Sequence, residues 1–380
     1  MPAKLSALQF SFALTWIVYV IYLPALAAQA GIDKRYVPWI LAMDQLIFIT
    51  CDWAAGVYAD RVGRLVGKIG GRMALVTLGS CAAFIAMPWI APAFGAVAFL
   101  ALTALWSASS SALRAPPLAL VSRHAPTPKQ PLFAGVYLLG FGLAAAIAPY
   151  LGLALKGVDA RVPFAVASVA LAVLAMLLAH AERGYEAPPG KEQPVGERAS
   201  LGDVVLFALA ALLFGVGFQA HFSMNSAPSY LRFVAPQELS QYMPIFWIGF
   251  NVAVIPACML PKRFGGLPVM AAGGFVGVVA LAACAVAPTL PGLVIAQLLA
   301  GAAWGVTLWA AFTAAMEAGR PDRTGLATGL LFSMLAGAAL MRLAVIVSGL
   351  AAQMSFTPIP FYAWGAATLV TGMLVMRRRR

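Results

Sequence analysis

Charge is what this sequence has least of. Only 10% of its 380 residues are Asp, Glu, Lys or Arg, while 62% are hydrophobic and the mean hydropathy is +0.89. A soluble domain carries about a quarter charged residues. A tenth is too few to coat a water-facing surface, which excludes a large soluble enzyme. Cysteine is also scarce. Cys51, Cys81, Cys258 and Cys284 lie inside apolar runs with no CxxC spacing, so neither a disulfide framework nor a zinc site is signalled, and they read as small packing residues. The chain has three histidines and no clustering of His with carboxylates, the arrangement a membrane-embedded enzyme needs. No GxxxxGK[ST] loop occurs, so ATP is not the expected energy source and no cofactor is expected. A net charge of +12 would suit a nucleic-acid partner, but the positions of the charges have a different explanation.

What the sequence has is long apolar runs. About 20 apolar residues span a bilayer, and twelve such runs are predicted, roughly at 6–29, 36–58, 73–91, 94–120, 131–155, 162–180, 202–226, 240–260, 267–287, 291–316, 325–350 and 358–376. The first exceeds a signal-peptide core and more spans follow it, so it reads as a membrane helix. All twelve must be helices, because lipid offers the backbone no hydrogen-bond partner. The fold class is therefore all-α, a polytopic membrane protein. Ser200 with Asp203 reads as a cap on the seventh span. Pro38 and Pro244 stand near the starts of the second and eighth.

With the N-terminus inside, Lys34, Arg35, Lys156, Arg161 and Arg232 fall on outer loops, and Arg114 and Arg342 fall within spans. The other eighteen of the 25 basic residues fall on inner segments. That asymmetry is the positive-inside pattern. It places both termini in the cytoplasm, assigns the protein to a cell inner membrane, and accounts for the basic balance without nucleic acid. The terminal run Arg377 to Arg380 reads as an anchor to anionic lipid.

The polar stretch at about 181–200, rich in Pro, Gly, Glu and Arg, follows six spans and precedes six more. The expected organisation is an N-terminal six-helix bundle at 1–182, a cytoplasmic linker at 183–201 and a C-terminal six-helix bundle at 202–380. Two short matches support duplication. YVPWI at Tyr36 resembles YMPIF at Tyr242, each opening the second helix of its half. DRVGR at Asp60 resembles KRFGG at Lys262, each closing it.

GVYADRVGR, Gly56 to Arg64, crowds one acid and two arginines beside two glycines. The pattern Gly56-x-x-x-Asp60-Arg61-x-Gly63-Arg64, between the second and third of twelve spans, resembles the signature loop of the major facilitator superfamily. The resemblance in topology covers the whole chain. It implies two six-helix halves that rock about a central site, with Asp60 near the start of the eleventh helix in the outward-open state. Gly56, Asp60, Arg61, Gly63 and Arg64 would then form a conformational gate. An acid is stabilised at a helix N-terminus by free N–H groups and the dipole. Two features depart from the family pattern: ALVSRHAP after the fourth helix has no acid, and GLAAAIAPYLG in the fifth has Ala148 before Pro149, where drug/proton antiporters have Gly-Pro.

Ionisable groups inside spans are costly and mark function. Asp44 and Arg342 sit at matching depth near the outer ends of the second and eleventh spans, and their pairing is expected when the outer side is closed. Asp52 and Arg114 match at the inner side and read as a structural or gate-supporting ion pair, with an anion site at Arg114 as the alternative. His221, Met224 and Asn225 share one face of the seventh helix. They could bind substrate, or His221 could carry a proton. His221 and Met224 could also offer N and S to a soft metal. Trp304 is a further candidate for lining the cavity.

These readings converge on a secondary transporter that moves a small solute by alternating access, with proton coupling expected through Asp44. The expected partners are a small-molecule substrate, protons and membrane lipids, with the chain a monomer. A copper or metal importer using His221 and Met224, a multidrug efflux antiporter, and a sensor that has lost transport remain as alternatives.

Overall fold

A computed structural model describes residues 2–66, 68–125, 129–184, 200–258, 264–319, 323–352 and 357–379. Among them the regular structure is helical: α1 (Pro2–Gln29), α2 (Val37–Val66), α3 (Gly70–Ser110), α4 (Ala115–His124), α5 (Gln130–Ala154), α6 (Arg161–Arg183), α7 (Leu201–Phe218), α8 (Ser226–Tyr230), α9 (Leu239–Tyr242), α10 (Pro244–Ala257), α11 (Gly266–Val286), α12 (Leu290–Ala318), α13 (Thr324–Val347) and α14 (Ile359–Arg379). Ten helical stretches are long and apolar enough to cross a membrane. One of them, Gly70–Arg123, is 54 residues long and crosses twice. Phe84 and Trp106 stack with centroids 4.9 Å apart, whereas 22 residues of straight helix would hold them about 33 Å apart. The chain turns back at Gly95, whose φ of 73° and ψ of −169° are non-helical. The eighth crossing is α9 with α10, kept short by Pro244 at its start and Pro256 near its end. Twelve crossings result, as the hydropathy predicts.

The expected boundary signals are present. The Ser200 hydroxyl accepts from the Asp203 N–H at 3.1 Å. Pro38 is the second residue of α2, and Pro244 opens α10. All four cysteines are free. Lys262, Arg263 and most of the 183–201 segment lie outside the described residues.

The helices pack as two groups. In the first, α1 lies against α5, α6 and α3, and α3 against α6. Its centre is aromatic: Phe84 stacks on Phe164, and Tyr19 leans on Trp106. In the second, α12 packs on α11 and α10, and α14 on α7 and α11. The groups meet along α2 with α13 and α5 with α10. Leu75, Val97, Val166, Phe275 and Leu369 stay exposed around the outside, as an apolar solvent permits.

Gly95 lies where only glycine is comfortable, and a Cβ there would meet no neighbour within 4 Å. The cost of replacing it is therefore backbone strain of about 1–3 kcal/mol. Gly95→Ala is expected to lower the thermal unfolding temperature of purified protein while leaving the helical content unchanged.

Candidate functional site

The two groups close on each other at the end that carries Lys68, Arg123, Lys129, Arg183 and Arg323, here called the basic end. The Asp60 carboxylate, on the last turns of α2, reaches the start of α13. The Gly325 N–H donates to Oδ1 at 2.8 Å and the Leu326 N–H to Oδ2 at 2.8 Å. These N–H groups have no partner within their own helix, and Asp60 is 5% exposed. The approach is possible because the helices touch backbone to backbone. A Cβ on Gly56 would overlap the Gly325 carbonyl, one on Gly325 the Gly56 carbonyl, and one on Gly329 the Asp52 carbonyl. Gly325 and Gly329 stand four apart, the small-xxx-small pattern of close membrane-helix packing.

Around this contact the remaining gate residues fall into place. Arg123 crosses α2 at Gly63, where a Cβ would collide with its guanidinium, and its Nη2 donates to the Asp60 carbonyl at 3.3 Å. The segment without an acid thus supplies a cation that packs on the signature turn. Arg61 is exposed, and the Arg64 side chain lies outside the described residues. Further bonds join the groups: Ser122 to Thr324 at 2.9 Å, Trp309 Nε1 to the Pro131 carbonyl at 2.8 Å, and the Ser333 hydroxyl to the Ile49 carbonyl at 2.7 Å. Among the described residues, no hydrogen bond or ion pair joins α2 to α13 beyond Ile49 and Ser333, so the polar contacts gather at the basic end.

Arg114 lies in the break between α3 and α4, at φ −100° and ψ −79°. Its Nη1 is 3.0 Å from Asp52 Oδ2, the ion pair the helix depths predict. Its guanidinium also lies 4.6 Å from the Phe48 ring and 4.9 Å from Phe332. Phe48 belongs to the first group of helices and Phe332 to the second. The Tyr137 hydroxyl donates to the Leu113 and Arg114 carbonyls at 3.3 and 3.1 Å, which fixes the break that aims the arginine.

Asp44 is fully buried and has other partners than the one expected from depth. The Tyr19 hydroxyl donates to Oδ2 at 2.8 Å and the Ser107 hydroxyl to Oδ1 at 2.6 Å. Pairing of Asp44 with Arg342 is expected when the far end is closed, and here it is the basic end that is closed. The facing pairs Gly56–Gly325 and Asp52–Gly329 set an antiparallel register that puts Arg342 level with residue 39 or 40 of α2. That is about one turn, ~6 Å, nearer the far end than Asp44. With the basic end closed, the two do not pair.

His221 sits in a π-helical turn, Gln219–Asn225, that continues α7 into α8. Such turns mark functional sites often. Its Nε2 lies 3.0 Å from Gln297 Oε1; Gln297 Nε2 donates to Ser226 Oγ at 3.3 Å, and Ser226 Oγ donates to the His221 carbonyl at 3.0 Å. The imidazole is thus engaged between helices. Met224 and Asn225 lie half-buried on the same turn. Among the described residues, no three His, Cys, Asp or Glu side chains gather to hold a metal. Trp304 is 3% exposed and stacks on Phe218 at 4.7 Å, inside the packing of the second group.

Two further acids do similar work to Asp60. Glu182, at the end of α6, accepts from the Ile69 and Gly70 N–H groups at 3.1 and 2.6 Å. Glu317, at the end of α12, accepts from the Gly266 N–H at 3.0 Å. Each holds the N-terminus of a neighbouring helix.

A family model described as Major Facilitator Superfamily matches residues 5–341. No curated protein matches. Solved structures share the fold. The human organic anion transporter MFSD10 (TETRAN) superposes with a TM-score of 0.72 at 15% identity, covering 98% of each chain. The transporter FucP in the outward conformation gives 0.70 at 15%, with 98% of each chain covered. A bacterial homologue of the iron transporter ferroportin, in the outward-facing state, gives 0.77 at 12%, with 99% of each. At these identities the likeness is one of fold.

Two outcomes are expected. Gly56→Val wedges α2 from α13, and a cysteine placed on Ser122 should then label at least tenfold faster from the basic side. Asp52→Asn strands the Arg114 charge at a cost of about 3–5 kcal/mol. Asp52→Asn with Arg114→Gln should recover part of that loss, read as coupling in a double-mutant cycle of thermal stability.

Proposed function

The chain belongs to the major facilitator superfamily, and we propose that it is a secondary transporter moving a small solute by alternating access, coupled to protons through Asp44. The observation that carries the coupling is the partnering of Asp44. It is fully buried, yet two hydroxyls and no cation answer it. A proton removes the cost of holding that charge away from water; one hydroxyl can turn to accept from the protonated oxygen while the other goes on donating to the carbonyl oxygen. The like-folded FucP is a fucose:proton symporter, in keeping with this reading.

In the proposed cycle the basic end faces the cytoplasm, with both termini there, and the membrane is the cell's inner one. The bundles at 1–182 and 202–380, joined by the 183–201 linker, rock as two bodies. The present arrangement, closed at Asp60, is the one loaded from outside. The basic end then opens by releasing Gly325 and Leu326 from Asp60, and Phe332 from Arg114.

The test is flux in proteoliposomes. Wild-type protein is expected to accumulate its substrate against a gradient when a pH difference is imposed. Asp44→Asn is expected to lose accumulation by at least tenfold while retaining exchange of substrate at equal concentrations. Undiminished pH-driven accumulation in Asp44→Asn would sink the coupling assignment.

A further inference from the structure

We propose that Arg342 and Gln219 form the recognition end for a carboxylate-bearing small molecule, which names the substrate class of the transporter reading above and rests on it. Arg342 stands five residues before the far end of α13. Its Nε is buried and has no hydrogen-bond partner, and no ion pair reaches it among the described residues. The other arginine within the spans, Arg114, has a carboxylate and two rings around it. The acids of α2 are all committed elsewhere: Asp44 to Tyr19 and Ser107, Asp52 to Arg114, Asp60 to the start of α13. A buried guanidinium nitrogen with no partner inside a membrane protein is costly and marks a ligand or ion pathway.

The packing register supplies its neighbour. Gly215 on α7 lies against Ala338 and Leu335 on α13. Both helices run from the basic end to the far end, so one turn further on each puts Gln219 and Arg342 at the same level. Gln219 is the residue at which α7 passes into the π-helical turn, and α13 lies against that turn. The Gln219 amide oxygen accepts from the Ser223 hydroxyl at 3.1 Å, which leaves its NH2 group as the donor. Met341 and Ala344, on other faces of α13, are exposed to the perimeter, whereas Arg342 is only partly exposed and its Nε is buried. A planar guanidinium beside amide N–H donors fits the two oxygens of a carboxylate. Neither group suits a cation.

A lipid phosphate shares this anionic chemistry, so the experiment separates the two sources. Purified full-length protein in detergent is unfolded thermally with acetate, lactate, succinate or benzoate, against chloride, glucose and choline controls. It is then unfolded in phosphatidylcholine nanodiscs with and without phosphatidylglycerol. At least one carboxylate is expected to raise the unfolding temperature by several degrees. Arg342→Gln and Gln219→Leu should abolish that shift, and Arg342→Lys should weaken the apparent Kd at least tenfold. Gln219→Leu keeps the charge and remains informative if Arg342→Gln does not fold. The proposal is overturned by a carboxylate shift that survives in both variants, by no shift with any carboxylate, or by an Arg342-dependent shift that phosphatidylglycerol alone produces. Carboxylate binding without flux into liposomes would remove the transporter reading and leave the site standing. Flux of a neutral solute unaffected by Arg342→Gln would remove the site and leave the transporter.

Discussion

The Asp60 carboxylate on the free N–H groups of α13 is the contact on which the rest of this arrangement depends. It is made between groups of helices that share no covalent neighbourhood, 265 residues apart in the chain. Its strength comes from two charge-assisted bonds at a helix start, where the donors have no competing partner. Its geometry comes from glycine. Without the bare backbones at Gly56, Gly325 and Gly329, the helices would stand too far apart for one carboxylate to span both N–H groups. Charge and close packing are therefore one device at this end of the bundle.

The same economy recurs. Glu182 and Glu317 each sit at the end of one helix and hold the start of another. A chain that is 10% charged uses its acids where the backbone itself leaves donors exposed. Asp44 and Asp52 depart from this, both fully buried: Asp52 is answered by Arg114, and Asp44 by hydroxyls alone. Arg342 stands apart among the bases, with a buried Nε that has no hydrogen-bond partner among the described residues. Asp44 and Arg342 are where function is to be sought, because each leaves a desolvation cost for a ligand or proton to offset.

Much of this was legible in the residues. Twelve crossings follow from the length of the apolar runs. The Asp52–Arg114 pair follows from matching depth. Asp60 was placed by its signature pattern, and the Gly325-x-x-x-Gly329 pattern that lets it arrive stood in the sequence as well. What could not be read is what depends on the rotation of one helix against another. Leu335 and Ala338, on the side of α13 that carries Arg342, pack on Gly215 of α7, and that packing is long-range. The π-turn at Gln219–Asn225 shifts the face shared by His221, Met224 and Asn225, and nothing local in FQAHFSMN announces it. Arg123 crossing Gly63 required knowing that α4 passes over the end of α2.

The energetics constrain any cycle built on this closure. Hydrogen bonds to a charged group contribute about 1.5–3 kcal/mol each, so the two at Asp60 hold the basic end shut by roughly 3–6 kcal/mol. Moving a two-state equilibrium from 1:99 to 99:1 takes about 5.5 kcal/mol. One carboxylate therefore acts on the scale of the whole switch, and the open state must recover a comparable amount elsewhere. Among the described residues the far end has no polar contact between α2 and α13 to break, so it is free to form one. Arg342, one turn above Asp44, cannot supply that contact without a rotation of α13 or a ligand bridging the gap. A bound anion does both jobs in the proposed cycle: it answers the guanidinium, and it gives the opposite group of helices something charged to close upon.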